Sequence, residues 1–295
     1  VPPPASTRSP KGIAIHAAQH RVRLKWHRLQ RTPGDVVFTP RRLREGLALG
    51  ASMEVDLRRH ADQGFVCLHD AELDRETTGS GPVVAASTET LRRLALRRED
   101  GSPAGEGPIL LEDLAELARD GGARDALIQL DLKESDPAID AGCIESFRRT
   151  LACIAERCIL SGNGWRAVCR LAAAVPGLRR GFDPCEEDTL DRLRDAKDCR
   201  DFIAAGLAQA PEAETIYLDY RIVLAALELG CDLVTPCHAA GKTVDAWTLN
   251  PDHPRAAESL WNLIALRVDQ ITTDAPEALE ALFDSIETPR SSPAR

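Results

Sequence analysis

His27-Arg28, Glu54-Val55-Asp56, His69-Asp70 and Asp131-Leu132-Lys133 are the stretches of this chain whose residue types can do chemistry. In Met53-Glu54-Val55-Asp56-Leu57 the acids alternate with apolar residues. Side chains two apart on a strand share a face, so both carboxylates point the same way. Holding like charges side by side out of water is costly unless something positive lies between them. Leu130-Asp131-Leu132-Lys133 repeats the pattern, adding a third carboxylate and an ammonium. Three acids with no cysteine beside them form a hard-donor set, suited to one Mg²⁺ or Ca²⁺ rather than zinc. His27 and His69 each close an apolar run, and two imidazoles beside an ion can divide general-base and general-acid work near neutral pH. Arg28 and Lys133 offer a guanidinium fork and an ammonium point charge, a combination that suits phosphate. Any one of these groups alone reads more simply as a surface or core ion pair, and His16, His20, His60, His238 and His253 keep that ordinary reading. The recurrence of acids and cations at strand ends favours the site.

The elements that must position these residues follow from the hydrophobic pattern. Val22–Trp26 alternates as a strand and delivers His27 and Arg28 at its end. Thr39, Pro40 and Gly50 bracket a helix with Leu43 and Leu47 on one face. Strands are expected at Ser52–Leu57, Phe65–Leu68, Leu127–Lys133, Cys158–Ser161, Leu178–Phe182, Thr215–Asp219, Thr243–Thr248 and Gln270–Thr273. Helices are expected at Thr88–Leu96, Leu111–Arg119 and Asp140–Glu156. The stretch from Ala71 to Gly107 is rich in turn residues and reads as an excursion. Strands alternating with helices in about eight units point to a closed (β/α)8 TIM barrel with an insertion after its second strand. The corresponding organisation is an N-terminal extension over 1–21, a barrel over 22–286 with the insertion inside 57–110, and a disordered tail over 287–295.

Composition narrows the function. With 295 residues, 43% of them hydrophobic, the chain can build one large core. A formal charge of -9 disfavours nucleic acid and anionic membrane surfaces as partners, so any phosphate recognition must be local. Nine cysteines form an odd set without a Cys-x-x-Cys pair, which suggests buried thiols in a reducing, cytoplasmic setting. No apolar run is long enough for a spanning helix. The sequence starts at Val1 rather than Met, which leaves removal of a leader open.

In their order and separations these motifs resemble the glycerophosphodiester phosphodiesterase family. That family has a His-Arg at the first strand, a Glu-x-Asp, a His-Asp and then a Leu-x-Arg-x-Thr-x-Gly element, matched here by Leu73-Asp74-Arg75-Glu76-Thr77-Thr78-Gly79. Downstream, Leu130-Asp131-Leu132-Lys133, Trp247-Thr248-Leu249-Asn250 and Ile271-Thr272-Thr273-Asp274-Ala275-Pro276 match an acidic-x-Lys strand, a Trp-Thr-Val-Asn strand and a closing Thr-Asp-x-Pro. The resemblance spans roughly residues 22–283 and implies a barrel with an insertion. It also implies a metal at Glu54, Asp56 and Asp131, acid/base roles for His27 and His69, and phosphate contacts from Arg28 and Lys133. Three departures stand out. His-Arg-Gly reads His27-Arg28-Leu29, Glu-Asn-Thr is replaced around Val36-Val37-Phe38, and Asp131 stands where Glu is commoner.

The expected activity is divalent-metal-dependent hydrolysis of a glycerophosphodiester or similar small polar phosphodiester to an alcohol and a phosphomonoester. His69 is the first choice for the leaving group. Water and a neighbouring substrate hydroxyl both remain candidates for the nucleophile. Trp247 and Phe38 are candidate faces for an alkyl or sugar group. The alternatives are a sugar phosphodiester of the opine type on the same scaffold, and a catalytically silent ligand-binding barrel. A lysolipid finds no amphipathic membrane helix to support it, and the oligomeric state stays open.

Overall fold

The computed structural model describes residues 10–287, apart from 19 and 163. The first nine residues and the expected tail beyond Glu287 lie outside the described residues. Ten strands form one sheet: β1 (Ala14–Ala17), β2 (His20–Trp26), β3 (Ser52–Arg59), β4 (Phe65–Cys67), β5 (Leu127–Leu132), β6 (Cys158–Ser161), β7 (Arg179–Phe182), β8 (Thr215–Asp219), β9 (Thr243–Trp247) and β10 (Gln270–Thr273). Around the barrel the order is β2, β3, β5, β6, β7, β8, β9 and β10, every pair parallel, and β10 pairs with β2 to close it. This is the expected (β/α)8 barrel. No helix among the described residues is long and apolar enough to cross a membrane.

Two strands lie outside the ring. β4 folds back antiparallel on β3 and opens the insertion. The irregular segment after it is held by its own apolar cluster, including Leu68, Leu73, Val83, Leu91 and Leu96. Its helix ends at Arg92, short of the expected Leu96, because Leu96 turns inward to bridge Thr77. Within the expected N-terminal extension, β1 pairs antiparallel with β2 outside the ring and buries Ile15. Four residues are too short to display an alternation, so the pattern missed it. The helix begun by the Asp140 cap likewise stops at Leu151, before Glu156, and a short turn at Ala155–Arg157 leads into β6. The helix after β2 runs Pro40–Leu49 with Thr39 as its cap and Gly50 in the left-handed conformation, as its flanking residues predict.

The outward residues of the strands meet the helices. Met53, Val55 and Leu57 pack with Leu43, Leu47 and Leu111 in one large cluster, and a second cluster covers β8 to β10. The inward residues are polar. Lys25, 1% exposed, lies 3.0 Å from Asp245 Oδ2 and also donates to Gln129 Oε1. Gln129 Nε2 donates to Ser161 Oγ at 2.9 Å, and Ser161 Oγ donates to Asp131 Oδ1 at 2.7 Å. Thr272 Oγ1 donates to Asp245 Oδ1 at 2.7 Å. A hydrogen-bonded chain thus runs from Asp245 through Lys25 to the acids at the mouth, with each buried charge answered by a partner.

Candidate active site

The inward carboxylates of β3 and the single inward carboxylate of β5 meet because the parallel register sets Asp56 beside Asp131. Glu54 (5% exposed), Asp56 (2%) and Asp131 each offer an oxygen within 4.8 Å of the others. After β2 the chain turns sharply, with Arg28 and Leu29 both left-handed at φ 50° and 60°. That conformation costs a non-glycine residue about 1–2 kcal/mol. The turn aims the Arg28 N–H at Glu54 Oε2 (2.8 Å) and brings its Nε to 3.1 Å from Asp56 Oδ2. Leu29 offsets the strain by burying its side chain completely. So the position where the resembling family carries glycine is left-handed here, a conformation that glycine adopts without strain. Lys133 Nζ lies between two acids, 2.8 Å from Asp56 Oδ1 and 2.5 Å from Asp131 Oδ2.

Each histidine is fixed through one nitrogen. His27 Nδ1 donates to Asp274 Oδ1 at 2.7 Å, and Asp274 in turn takes the Asn250 amide N–H at 2.5 Å. His69 Nδ1 donates to Asp70 Oδ1 at 2.8 Å, and Arg75 grips Asp70 with Nε (2.5 Å) and an NH2 nitrogen (2.7 Å). Glu76 accepts the backbone N–H groups of His69 and Asp70 (3.0 and 2.7 Å), fixing that turn from below. Arg58 links the two sides by donating to the carbonyls of His69 (2.9 Å) and Lys133 (3.0 Å). With Nδ1 committed in both rings, Nε2 is the nitrogen free to act on a bound molecule.

Charge is concentrated where burial is deepest. Burial, then Asp56, pushes the Glu54 carboxyl up to about 7, against the pull of His27 and Lys133. Burial works against the Lys133 ammonium, yet Asp131, Asp56 and Glu54 outweigh it and hold the group above the usual lysine range. The Arg75 hydrogen bond holds Asp70 far below the usual carboxylate range. Asp56 Oδ2 is buried without a well-directed hydrogen bond. Three converging hard oxygen donors, one of them poorly satisfied, fit a divalent cation.

His27, Arg28, Glu54, Asp56, His69, Asp131, Lys133 and Trp247 all line one cavity of about 700 Å³ at the C-terminal ends of the strands. Phe38 does not: it is fully buried in the large core cluster, which corrects its reading as a stacking face. The sequence reading gave no role to Asp274, Asn250, Arg75 or Glu76, which hold the histidines, nor to Asp183 and Asp219 on the far wall. Asp274 directly follows β10 as His27 follows β2, a positional signal present in the sequence, whereas Asn250 lies beyond the end of β9 at Trp247.

The glycerophosphoryl diester phosphodiesterase family matches residues 39–278 of the chain. Among solved structures, one from Silicibacter pomeroyi assigned to the glycerophosphoryl diester phosphodiesterases superposes with a TM-score of 0.71 at 20% identity, over 94% of this chain and 97% of the other. An Oleispira antarctica phosphodiesterase, in complex with the product sn-glycerol-3-phosphate, gives 0.62 at 17% identity over 88% and 96%. Glycerophosphodiester phosphodiesterase from Thermotoga maritima gives 0.60 at 20% identity over 90% and 100%. At these identities the likeness shows a shared fold. No curated protein sequence matches the chain.

Proposed function

The chain belongs to the glycerophosphoryl diester phosphodiesterase family and is a phosphoric diester hydrolase, and we propose that it cleaves a small glycerophosphodiester at this cavity with His27 and His69 moving the protons. The observation that carries this reading is the pair of imidazoles, each held through Nδ1 by its own carboxylate, on the rim of a cavity floored by three acids. Glu54, Asp56 and Asp131 would hold one divalent cation, Mg²⁺ or Ca²⁺. Such an ion, when bound, supplies Lewis-acid polarisation of a phosphoryl oxygen. Arg28 and Lys133 bind the phosphate and stabilise the charge that grows on it in the transition state. His27 Nε2 takes the proton of the attacking oxygen, from water or from the neighbouring glycerol hydroxyl. His69 Nε2 gives a proton to the departing alkoxide. The bond broken is P–O to the alcohol: attack by water gives that alcohol and a phosphomonoester directly, whereas attack by the glycerol hydroxyl releases the alcohol and leaves a cyclic phosphodiester that water then opens to the phosphomonoester.

The test is hydrolysis of glycerophosphodiesters with and without chelator, by the wild type and by His27→Ala and His69→Ala. Loss of activity in all three perturbations is expected. On a nitrophenyl diester, whose leaving group needs no acid, His69→Ala should recover most of its loss while His27→Ala does not. Turnover indifferent to chelator and to both substitutions would overturn the mechanism.

A further inference from the structure

We infer that Ser161 and Gln129 are positioning residues for Asp131, and that Lys25 sets the direction of the hydrogen bonds by which they hold it. This rests on the reading above that Glu54, Asp56 and Asp131 take one divalent cation. The parallel register sets Ser161, the last residue of β6, beside Asp131 on β5. Gln129 lies two residues before Asp131 on the same strand and so shares its inward face. Lys25 comes from β2, on the other side of β3, and its long side chain passes that strand to reach the Gln129 amide. All three side chains are buried.

The direction of the chain follows from which groups can donate. An ammonium donates and never accepts. Lys25 therefore claims Gln129 Oε1, which leaves Gln129 Nε2 to face Ser161 and donate to its Oγ at 2.9 Å. The Ser161 hydroxyl carries one proton. With its oxygen already accepting from Gln129, that proton is turned to Asp131 Oδ1, 2.7 Å away. Lys133 Nζ holds the other oxygen, Oδ2, at 2.5 Å. The two contacts fix the rotation of the carboxylate, while each ionised oxygen keeps a further lone pair for a ligand. Lys25 is itself anchored, 3.0 Å from Asp245 Oδ2 and with its nitrogen 4.4 Å from the centre of the Tyr217 ring. Ser161 is not among the residues lining the cavity, so its effect on a bound ion passes through Asp131. Partners that orient a metal-binding side chain in this way typically contribute a factor of about 10–100 in metal affinity.

The experiment titrates Mg²⁺ and Ca²⁺ alone, by calorimetry, into the chelator-stripped full chain and reads the metal Kd, with the Tm of the metal-free protein beside it. Ser161→Ala should weaken the metal Kd by about tenfold or more, and Ser161→Thr, which keeps the hydroxyl, should stay within about threefold of wild type. Gln129→Glu separates this role from simple electrostatics. It keeps the shape and still accepts from Lys25, and Coulomb attraction alone would leave cation binding unchanged or tighter. An ionised carboxylate cannot donate, however, so the Ser161 O–H turns back to it and Asp131 loses its donor. Binding weakened by about fivefold or more is therefore expected, and this variant decides alone should Ser161→Ala fail to fold. A lowered Tm with the Ser161→Ala Kd within about twofold of wild type would show a merely structural role and overturn the inference. Binding in Gln129→Glu as tight as in the wild type, or tighter, would overturn it as well, and either result leaves the phosphodiesterase reading standing. Failure of the wild type to bind either ion would instead overturn the cation site on which the inference rests.

Discussion

Asp274 has two acceptor oxygens, and both are in use. Oδ1 takes the His27 Nδ1–H at 2.7 Å, and Oδ2 takes the Asn250 amide at 2.5 Å. Asp274→Asn keeps the shape but replaces one acceptor by a donor, so a single oxygen must serve two N–H groups and the negative charge that orients His27 is gone. A hydrogen bond to a charged group contributes about 1.5–3 kcal/mol. If that stabilisation is realised only when His27 accepts or gives its proton, kcat falls between about tenfold and about 150-fold. KM should change little, because Asp274 is not among the residues lining the cavity. The parallel change Asp70→Asn should cost less, since His69 and Asp70 are more exposed (36% and 27%) than His27 and Asp274 (24% and 21%) and water screens the pair. Steady-state kinetics on a glycerophosphodiester, with thermal unfolding as a control, read both. A kcat for Asp274→Asn within about twofold of wild type, in a protein of unchanged Tm, would refute the positioning role.

Three further outcomes concern the scaffold. Lys25→Met leaves Asp245, fully buried, without its ammonium and should destabilise the fold by about 3–5 kcal/mol, with the double change Lys25→Met/Asp245→Asn recovering part of it in denaturant titrations. Leu29→Gly relieves about 1 kcal/mol of left-handed strain but removes a fully buried side chain, so a net loss of about 2 kcal/mol is expected; a stabilised variant would show that the turn, not the packing, governs this position. Burial alone would raise Asp35, but Arg42 and the backbone N–H groups of Arg31 and Thr32 hold it below the usual carboxylate range. Its folded value is depressed, so its contribution is present above the unfolded carboxyl value of about 4 and is lost as pH falls through the lower folded one. The Tm gap between wild type and Asp35→Asn should therefore be widest near neutral pH and close as pH falls through the folded carboxyl value, and a gap independent of pH would count against the pairing.

The chain announces its barrel and the floor of its cavity because both rest on short-range patterns. Glu54-Val55-Asp56 and Leu130-Asp131-Leu132-Lys133 show their inward face by simple alternation, and flanking cap residues mark the helix after β2. Contacts such as those of Asp274 and Lys25 depend instead on closure of the ring. Asp274 meets His27 only because β10 lies next to β2, and Lys25 meets Asp245 from strands more than two hundred residues apart in sequence. Asp183 looks like an ordinary turn acid until the strand order brings the end of β7 into the same cavity as Asp131. Phe38 follows the same logic: a bulky aromatic in a turn looks available in the sequence, yet it is fully buried in the large core cluster.

The pairing of Asp56 with Asp131 is set by backbone hydrogen bonds between neighbouring strands, not by the side chains outside them. Helices and loops can therefore be exchanged, lengthened or resurfaced while the distance between these two oxygens stays the same. A shift of a single residue along that seam would turn every acid on one strand toward the oily exterior. Engineering that recasts the loops for a new substrate is thus safe for the catalytic floor, whereas insertions or deletions inside β3 or β5 are not.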